Sequence, residues 1–179
     1  MSGTIKFLVK AGKIGDIVSV DATCTSLKDA SGVVKTDWSG IYEWGPTALL
    51  PVFQILGTHY KTCNIITWFH DEEYLFSKID FMYENAVASV KVGDGVKSER
   101  ELIISGTKGY VYVPAPWWKT DYFEIRYEEQ SKNRRYFYQL DGEGIRYELV
   151  AFARAIERKC NTSNITEDIS LAIAEVMEK

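Results

Sequence analysis

The sequence predicts an α+β domain: a mostly antiparallel open sheet with helices packed on one face. Three observations lead there. From Cys63 to about Leu140 the chain is a succession of β-type runs joined by short polar connectors. A stretch with helical periodicity precedes this block, and two more follow it. Strands grouped together and helices grouped at the ends, without βα alternation, describe an α+β layer architecture rather than a parallel α/β sheet. The 179 residues suit one domain, with 46% hydrophobic and 26% charged residues, a globular composition. Folding a chain of this size removes roughly 70% of its surface from water.

The elements follow in order. "FLVKAGKIGDI" opens apolar and meets Gly12, which reads as the last turns of a helix with a glycine stop. A helix that starts this close to the first residue is expected to continue something upstream. "DIVSVDATCTS" alternates, with Val18, Val20, Ala22 and Cys24 on one face and Ser19, Asp21 and Thr23 on the other, as in a half-buried strand. A polar loop, "LKDASGVVKTDWSG", leads into "EWGPTALLPVFQILG", a helix entered through a Trp-Gly-Pro turn. Pro46 fits a first helical turn. Pro51 then kinks the axis or delays the start.

The β-type runs are "CNIITWFH", "YLFSKIDFMYE", "AVASVKVG", "RELIISG", "GYVYVPA", "YFEIRYEE" and "RRYFYQL". They are rich in β-branched and aromatic residues, and their short connectors imply hairpins and a meander. In "EGIRYELVAFARAIERK", Ile145, Leu149, Phe152 and Ile156 form an apolar stripe, with Arg154, Glu157 and Arg158 outside. Thr166 is a good N-cap for the last helix, with Glu167 and Asp168 in its first turn and Ile169, Ala172, Ile173 and Val176 facing inward.

Several chemistries find no support. The net charge is −4, and basic residues are not bunched beyond "KNRR", so no nucleic-acid surface is expected. No apolar run reaches membrane-spanning length. Cys24, Cys63 and Cys160 are distant and odd in number, without CxxC or Cys/His spacing, and read as reduced thiols of a cytoplasmic protein. "NTS" and "NIT" match a glycosylation pattern, but no signal peptide precedes them. There is no GxGxxG and no GxxxxGK[ST]. The glycines of "KVGDGVKSE" read as a hairpin loop, so this chain alone is expected to bind no dinucleotide. His59 and His70 lack ligand partners at metal spacing, and "SGT" at Ser105 is a strand end rather than a nucleophile elbow. A metal-assisted lyase or hydrolase is therefore without ligands.

Two places concentrate unusual residues. "DWSGIYEWGPT" packs Asp37, Trp38, Tyr42, Glu43, Trp44 and Thr47 into eleven positions. Glu43 and Thr47, at i and i+4, fall on one side of a helix. Aromatic walls with a carboxylate and a hydroxyl suit a polyol or sugar, the rings stacking on C–H faces and the oxygens taking hydroxyls. A cap with packed tryptophans accounts for the same residues. In "PAPWWKTDY", Pro114, Pro116, Trp117, Trp118 and Lys119 form a stiff loop, and two adjacent tryptophans cannot both bury on one strand face.

In order, these pieces resemble the C-terminal domain of the glucose–fructose oxidoreductase, inositol dehydrogenase and rhizopine-catabolism family (Gfo/Idh/MocA). "VKAGKIGDIVSVDA" is similar to the family's junction helix and first sheet strand. "EWGPTALLPVFQILG" resembles its Asp-x-Gly-x-His/Tyr helix ahead of Leu-Leu-Gly, "ELIISGTKGYVYV" its G-T-x-G hairpin, and "GEGIRYELVAFARAI" its Gly-x-x-x-x-x-Glu helix. The resemblance spans residues 1–179 as a single substrate-binding and oligomerisation domain, lacking the N-terminal dinucleotide-binding domain with its Glu-Lys-Pro lysine. It implies NAD or NADP in a full-length parent, and no cofactor in this chain. It implies a sugar or polyol substrate, a homo-oligomer formed through the open sheet face, and no nucleic-acid or membrane partner.

Aligned on Ile55-Leu56-Gly57, Glu43 takes the place of the family's Asp, Gly45 keeps the glycine, and Thr47 replaces His or Tyr. Glu43 and Thr47 are thus the implied catalytic positions, although Thr47 has no ring to relay a proton near neutral pH. Substrate contacts are expected from Trp38, Tyr42, Trp44, Trp118, Lys119 and Arg146. The function so implied is the substrate half of an NAD(P)-dependent sugar or polyol oxidoreductase, inactive alone. The alternative is a self-associating scaffold or ligand-binding module, with Tyr127, Tyr136 and Tyr138 on the outward sheet face.

Overall fold

The computed structural model describes residue 5 and residues 8–27, 41–138, 145–159 and 165–179, with side chains of the 145–159 helix from 149 onward. The strands are β1 (Ile17–Ser26), β2 (Thr62–His70), β3 (Glu73–Met82), β4 (Val87–Asp94), β5 (Leu102–Gly106), β6 (Tyr110–Val113), β7 (Tyr122–Arg126) and β8 (Arg134–Phe137). The helices are α1 (Ile41–Leu56), α2 (Ile145–Arg158) and α3 (Glu167–Met177). The eight strands form one sheet in the order β2-β3-β4-β1-β5-β6-β7-β8. Every neighbouring pair is antiparallel except β1 and β4. This is the mostly antiparallel α+β sheet expected from the sequence.

The meander expectation fails at one point, and that point matters for the site. "GDGVKSE" is not a hairpin loop, because β1 lies between β4 and β5. The segment after β4 crosses the end of β1. There the N–H groups of Gly95 and Val96 both donate to the Ser26 carbonyl, at 2.8 and 3.1 Å. A strand from the start of the chain has inserted itself between two later ones, which no local turn chemistry can announce.

One sheet face is dry. Val20, Ala22 and Cys24 of β1, Val90 and Val92 of β4, and Ile79 and Phe81 of β3 point into it. α1 covers them with Ala48, Leu49, Val52 and Phe53. α3 packs beside α1 through Ile169, Ala172 and Val176, the inward positions that the sequence indicated. Val18 is a correction. It is 47% exposed, because the register slips between Ile17 and Ser19 at a bulge against β5, and a one-residue slip turns a side chain to the other face.

α1 corrects a second expectation. It starts at Ile41, before the Trp-Gly-Pro turn, so both Pro46 and Pro51 lie inside it. Each proline removes one ladder hydrogen bond and costs an isolated helix about 3 kcal/mol. The buried face against β1, β4 and α3 outweighs that cost, as tertiary packing commonly does. Gly45 permits the close approach to α3: a methyl group there would sit 3.2 Å from Ile41 and 3.5 Å from Met177. The helix ends at Gly57, whose φ of +85° suits a glycine stop and whose N–H donates to the Phe53 carbonyl at 3.1 Å. Residues 8–10 are helical and lead into a turn with Gly12 at φ +68°, the expected glycine stop.

Three further expectations are revised. Tyr127, Tyr136 and Tyr138 lie against the core, not on the outward face, and Tyr136 stacks on buried Phe123 with ring centroids 5.0 Å apart. The outward face at that end carries Tyr122, Glu124 and Arg135, one step out of phase. Thr166 occupies the N-cap position of α3 with extended backbone, but its hydroxyl makes no capping bond. The α2 stripe is not buried: Leu149, Phe152 and Ile156 are 64%, 67% and 62% exposed. No other described part of the chain covers it.

Candidate functional site

The mouth of α1 meets three other segments: the end of β1, the crossing segment after β4, and the Pro116–Thr120 turn. Trp117 is the tryptophan of the pair that buries. Its indole N–H donates to the Thr23 carbonyl at 3.2 Å and its backbone N–H to the Arg100 carbonyl at 3.0 Å. Two adjacent residues cannot share that slot, so Trp118 turns toward α1. It meets Trp44 at a centroid distance of 4.9 Å and a 46° tilt. Trp44 is held by its own indole N–H, which donates to Ser26 Oγ at 3.0 Å. The Arg100 guanidinium lies over Trp118, 5.7 Å from the ring centre. The result is a fixed aromatic wall, half-buried, with the first turn of α1 at one end and a cation at the other.

Glu43 projects from that first turn beside Trp44. Burial raises its pKa above the ordinary 4.5, and the neighbouring Asp94 carboxylate raises it further. Both causes disfavour the charged form of Glu43, so that side chain holds a proton more readily than an isolated glutamate. Cys24, beneath Trp117, is chemically quiet: burial pushes its thiol up to about 12, despite the hydrogen bond with Trp117 and the nearby Arg100 charge.

The structure brings Glu43, Trp44 and Trp118 together, with Tyr42 exposed on the same turn. It sets two predicted residues elsewhere. Thr47, one turn after Glu43, lines an apolar groove of about 350 Å³ with Pro46, Leu50, Ile165, Ser170 and Ile173. Lys119 lines an open hollow of about 700 Å³ with Ala115, Pro116, Thr120, Asp121, Phe137 and Tyr138, on the far side of the tryptophan turn. Trp38 and the side chain of Arg146 lie outside the described residues. Sequence reading missed Ser26, Asp94 and Arg100. All three enter through the β1 insertion, and only the charged "SERE" next to a strand run hints at a cation there. Among the described residues no group of three His, Cys, Asp or Glu side chains is placed to hold a metal ion, and no helix is long and apolar enough to cross a membrane.

No family profile matches this sequence, and no curated protein does. Solved structures do match. One is the 3-ketoreductase KijD10 from Actinomadura kijaniata in complex with NADP and TDP-benzene, at a TM-score of 0.78 and 14% identity, over 98% of this chain and 56% of that one. Another is an oxidoreductase from Agrobacterium radiobacter in complex with NAD+, L-tartaric acid and magnesium, at 0.76 and 17% identity, over 98% of this chain and 57% of that one. These likenesses establish the fold. The structural neighbours are NAD(P)-binding oxidoreductases, and this chain spans little more than half of their length.

Proposed function

We propose that this chain is the substrate-binding half of an NAD(P)-dependent oxidoreductase acting on a sugar or polyol. The observation that carries the reading is the juxtaposition at the α1 mouth of a carboxylate with a raised pKa and a tilted tryptophan pair. Ring faces take the C–H surface of a pyranose or polyol, and carboxylates take its hydroxyls. In the oxidation of a secondary alcohol, the nicotinamide supplies the hydride acceptor. What this chain contributes is the wall that orients the carbinol, and Glu43 as acceptor of the hydroxyl proton.

Two further observations agree with a missing half. The chain spans about half of its structural neighbours. The apolar stripe of α2, formed by Leu149, Phe152 and Ile156, is covered by no other described residue, and a second domain would supply a cover for it. Alone, the chain is then inactive, and turnover of a sugar with NAD(P)+ by the purified chain contradicts that. The binding claim is tested by titrating the chain with neutral hexoses and inositol while following the indole N–H signals in 1H–15N spectra. The Trp44 and Trp118 signals are expected to shift in the millimolar range. Shifts absent from both, for every sugar and polyol tried, contradict the reading.

A second reading, a self-associating module, draws on the outward sheet face. Ile66 and Trp68 of β2, Met82 of β3 and Val87 of β4 are exposed there. We propose that this face joins two copies, in either reading. Trp68→Glu is then expected to shift the chain from dimer or higher to monomer in sedimentation velocity. A wild-type chain that stays monomeric at high concentration contradicts this.

A further inference from the structure

The inference rests on the sugar or polyol reading and narrows it. We propose that Arg100 receives an anionic substituent of the substrate, a carboxylate or a phosphate, at the end of the tryptophan wall opposite Glu43.

The position of Arg100 is fixed by backbone bonds at its own carbonyl and at the next. Its carbonyl accepts the Trp117 N–H at 3.0 Å, and the Glu101 carbonyl accepts the Thr23 N–H at 3.1 Å. Its guanidinium is pinned over Trp118. Yet Nε is buried and finds no hydrogen-bond acceptor among the described residues. None of the ion pairs among those residues involves Arg100 either. Glu99 and Glu101, its neighbours in sequence, form none of those ion pairs with it.

Other arginines of the sheet show what a satisfied guanidinium looks like here. Arg126 and Arg135 both bond Glu124, at 2.6 and 2.7 Å from their Nε atoms. Arg134 donates to the carbonyls of Ser131 and Asn133. A buried donor left without an acceptor costs about 1–3 kcal/mol, more on a charged group. Such a donor on a rigid wall is a receptor for what is missing, and the planar fork of arginine matches the oxygens of a carboxylate or a phosphate.

The charges around the wall give the ligand a direction. Glu43 and Asp94 stand at the Trp44 end and repel an anion, while Arg100 stands at the Trp118 end and attracts it. A sugar with one anionic group therefore lies with that group on Arg100 and its hydroxyls toward Glu43. Repulsion from the wrong end sets orientation as much as attraction at the right end does.

The test compares galacturonate with galactose, and glucose 6-phosphate with glucose, by the same indole titration at low and at physiological salt. At least one acidic sugar is expected to bind 10-fold or more tightly than its neutral counterpart, with the difference shrinking as salt rises. The member of the two pairs that shows the difference identifies carboxylate or phosphate. Arg100→Gln is expected to abolish the difference, and Arg100→Lys to retain part of it. Equal affinity of acidic and neutral sugars for the wild-type chain overturns this inference and leaves the sugar reading standing. A preference that survives in Arg100→Gln overturns it as well. Binding of no sugar of either charge overturns the sugar reading, and this inference with it.

Discussion

Glu43→Gln, made in a protein that joins this chain to a dinucleotide-binding domain, is expected on the proposed reading to lower turnover by about 10²–10⁴-fold, the range of a lost general base. Glutamine keeps the size and hydrogen-bonding reach of glutamate but cannot accept a proton. The wall of Trp44 and Trp118 is untouched, so KM is expected to move little while kcat falls. The side chain is on the exposed first turn of α1, so the fold is expected to survive, which circular dichroism and a thermal melt check. The assay is reduced nicotinamide formation at saturating sugar. Turnover within two-fold of wild type contradicts the assigned role and favours the self-associating module.

Phe53→Ala is expected to destabilise the chain by about 3–5 kcal/mol, the cost of an aromatic deleted from a packed core. Phe53 is 1% exposed and sits where α1 crosses the centre of the sheet. It packs edge-on against Phe81, with centroids 5.6 Å apart, and lies flat beside Tyr60 at 6.3 Å. Phe81 cannot follow it into the void, because it is fixed in β3 opposite Ala88 and Cys63. The loss is a large fraction of the 5–15 kcal/mol that a domain has in hand. Urea unfolding measures it. A change below about 1 kcal/mol contradicts the placement of α1 on the sheet. Because α1 carries Glu43 and Trp44 at its other end, the same variant is also expected to loosen the site.

Much of this was legible in the sequence, for identifiable reasons. The core face of α1 is read from Leu49, Leu50, Phe53 and Leu56; Leu49 and Phe53 are buried, with Ala48 and Val52 beside them, while Leu50 and Leu56 lie half-buried at its edge. β2 to β8 followed from β-branched and aromatic runs with polar breaks. The inward face of α3 followed from its period. The failures are all tertiary. Proline at 46 spoke for a helix start, and packing against β1 and α3 overrode it. Tyr136 and Tyr138 follow the register of Phe123 and so turn inward, although nothing in "RRYFYQL" distinguishes its two faces. The stripe on α2 was read correctly as apolar and wrongly as covered, since periodicity cannot say which molecule supplies the cover.

The site was half legible for the same cause. Glu43, Trp44 and Trp118 drew notice by residue type alone, although Trp44 and Trp118 are far apart in sequence and meet only through the sheet. Ser26, Asp94 and Arg100 did not, because they join the site through the insertion of β1 between β4 and β5. Thr47 and Lys119 illustrate the converse. Helical spacing and the family resemblance singled out Thr47, and adjacency to Trp118 singled out Lys119, but in the structure they line a groove against α3 and a hollow beside β8.

The most direct test of the central claim, that this chain is one half of an oxidoreductase, is the nucleotide sequence immediately upstream of the Met1 codon. The account predicts an in-frame segment encoding a strand, a GxGxxG turn opening a helix, and a later Glu-Lys-Pro. A stop codon and a ribosome-binding site there, with no dinucleotide-binding domain encoded alongside, would contradict it and leave the self-associating module as the better reading.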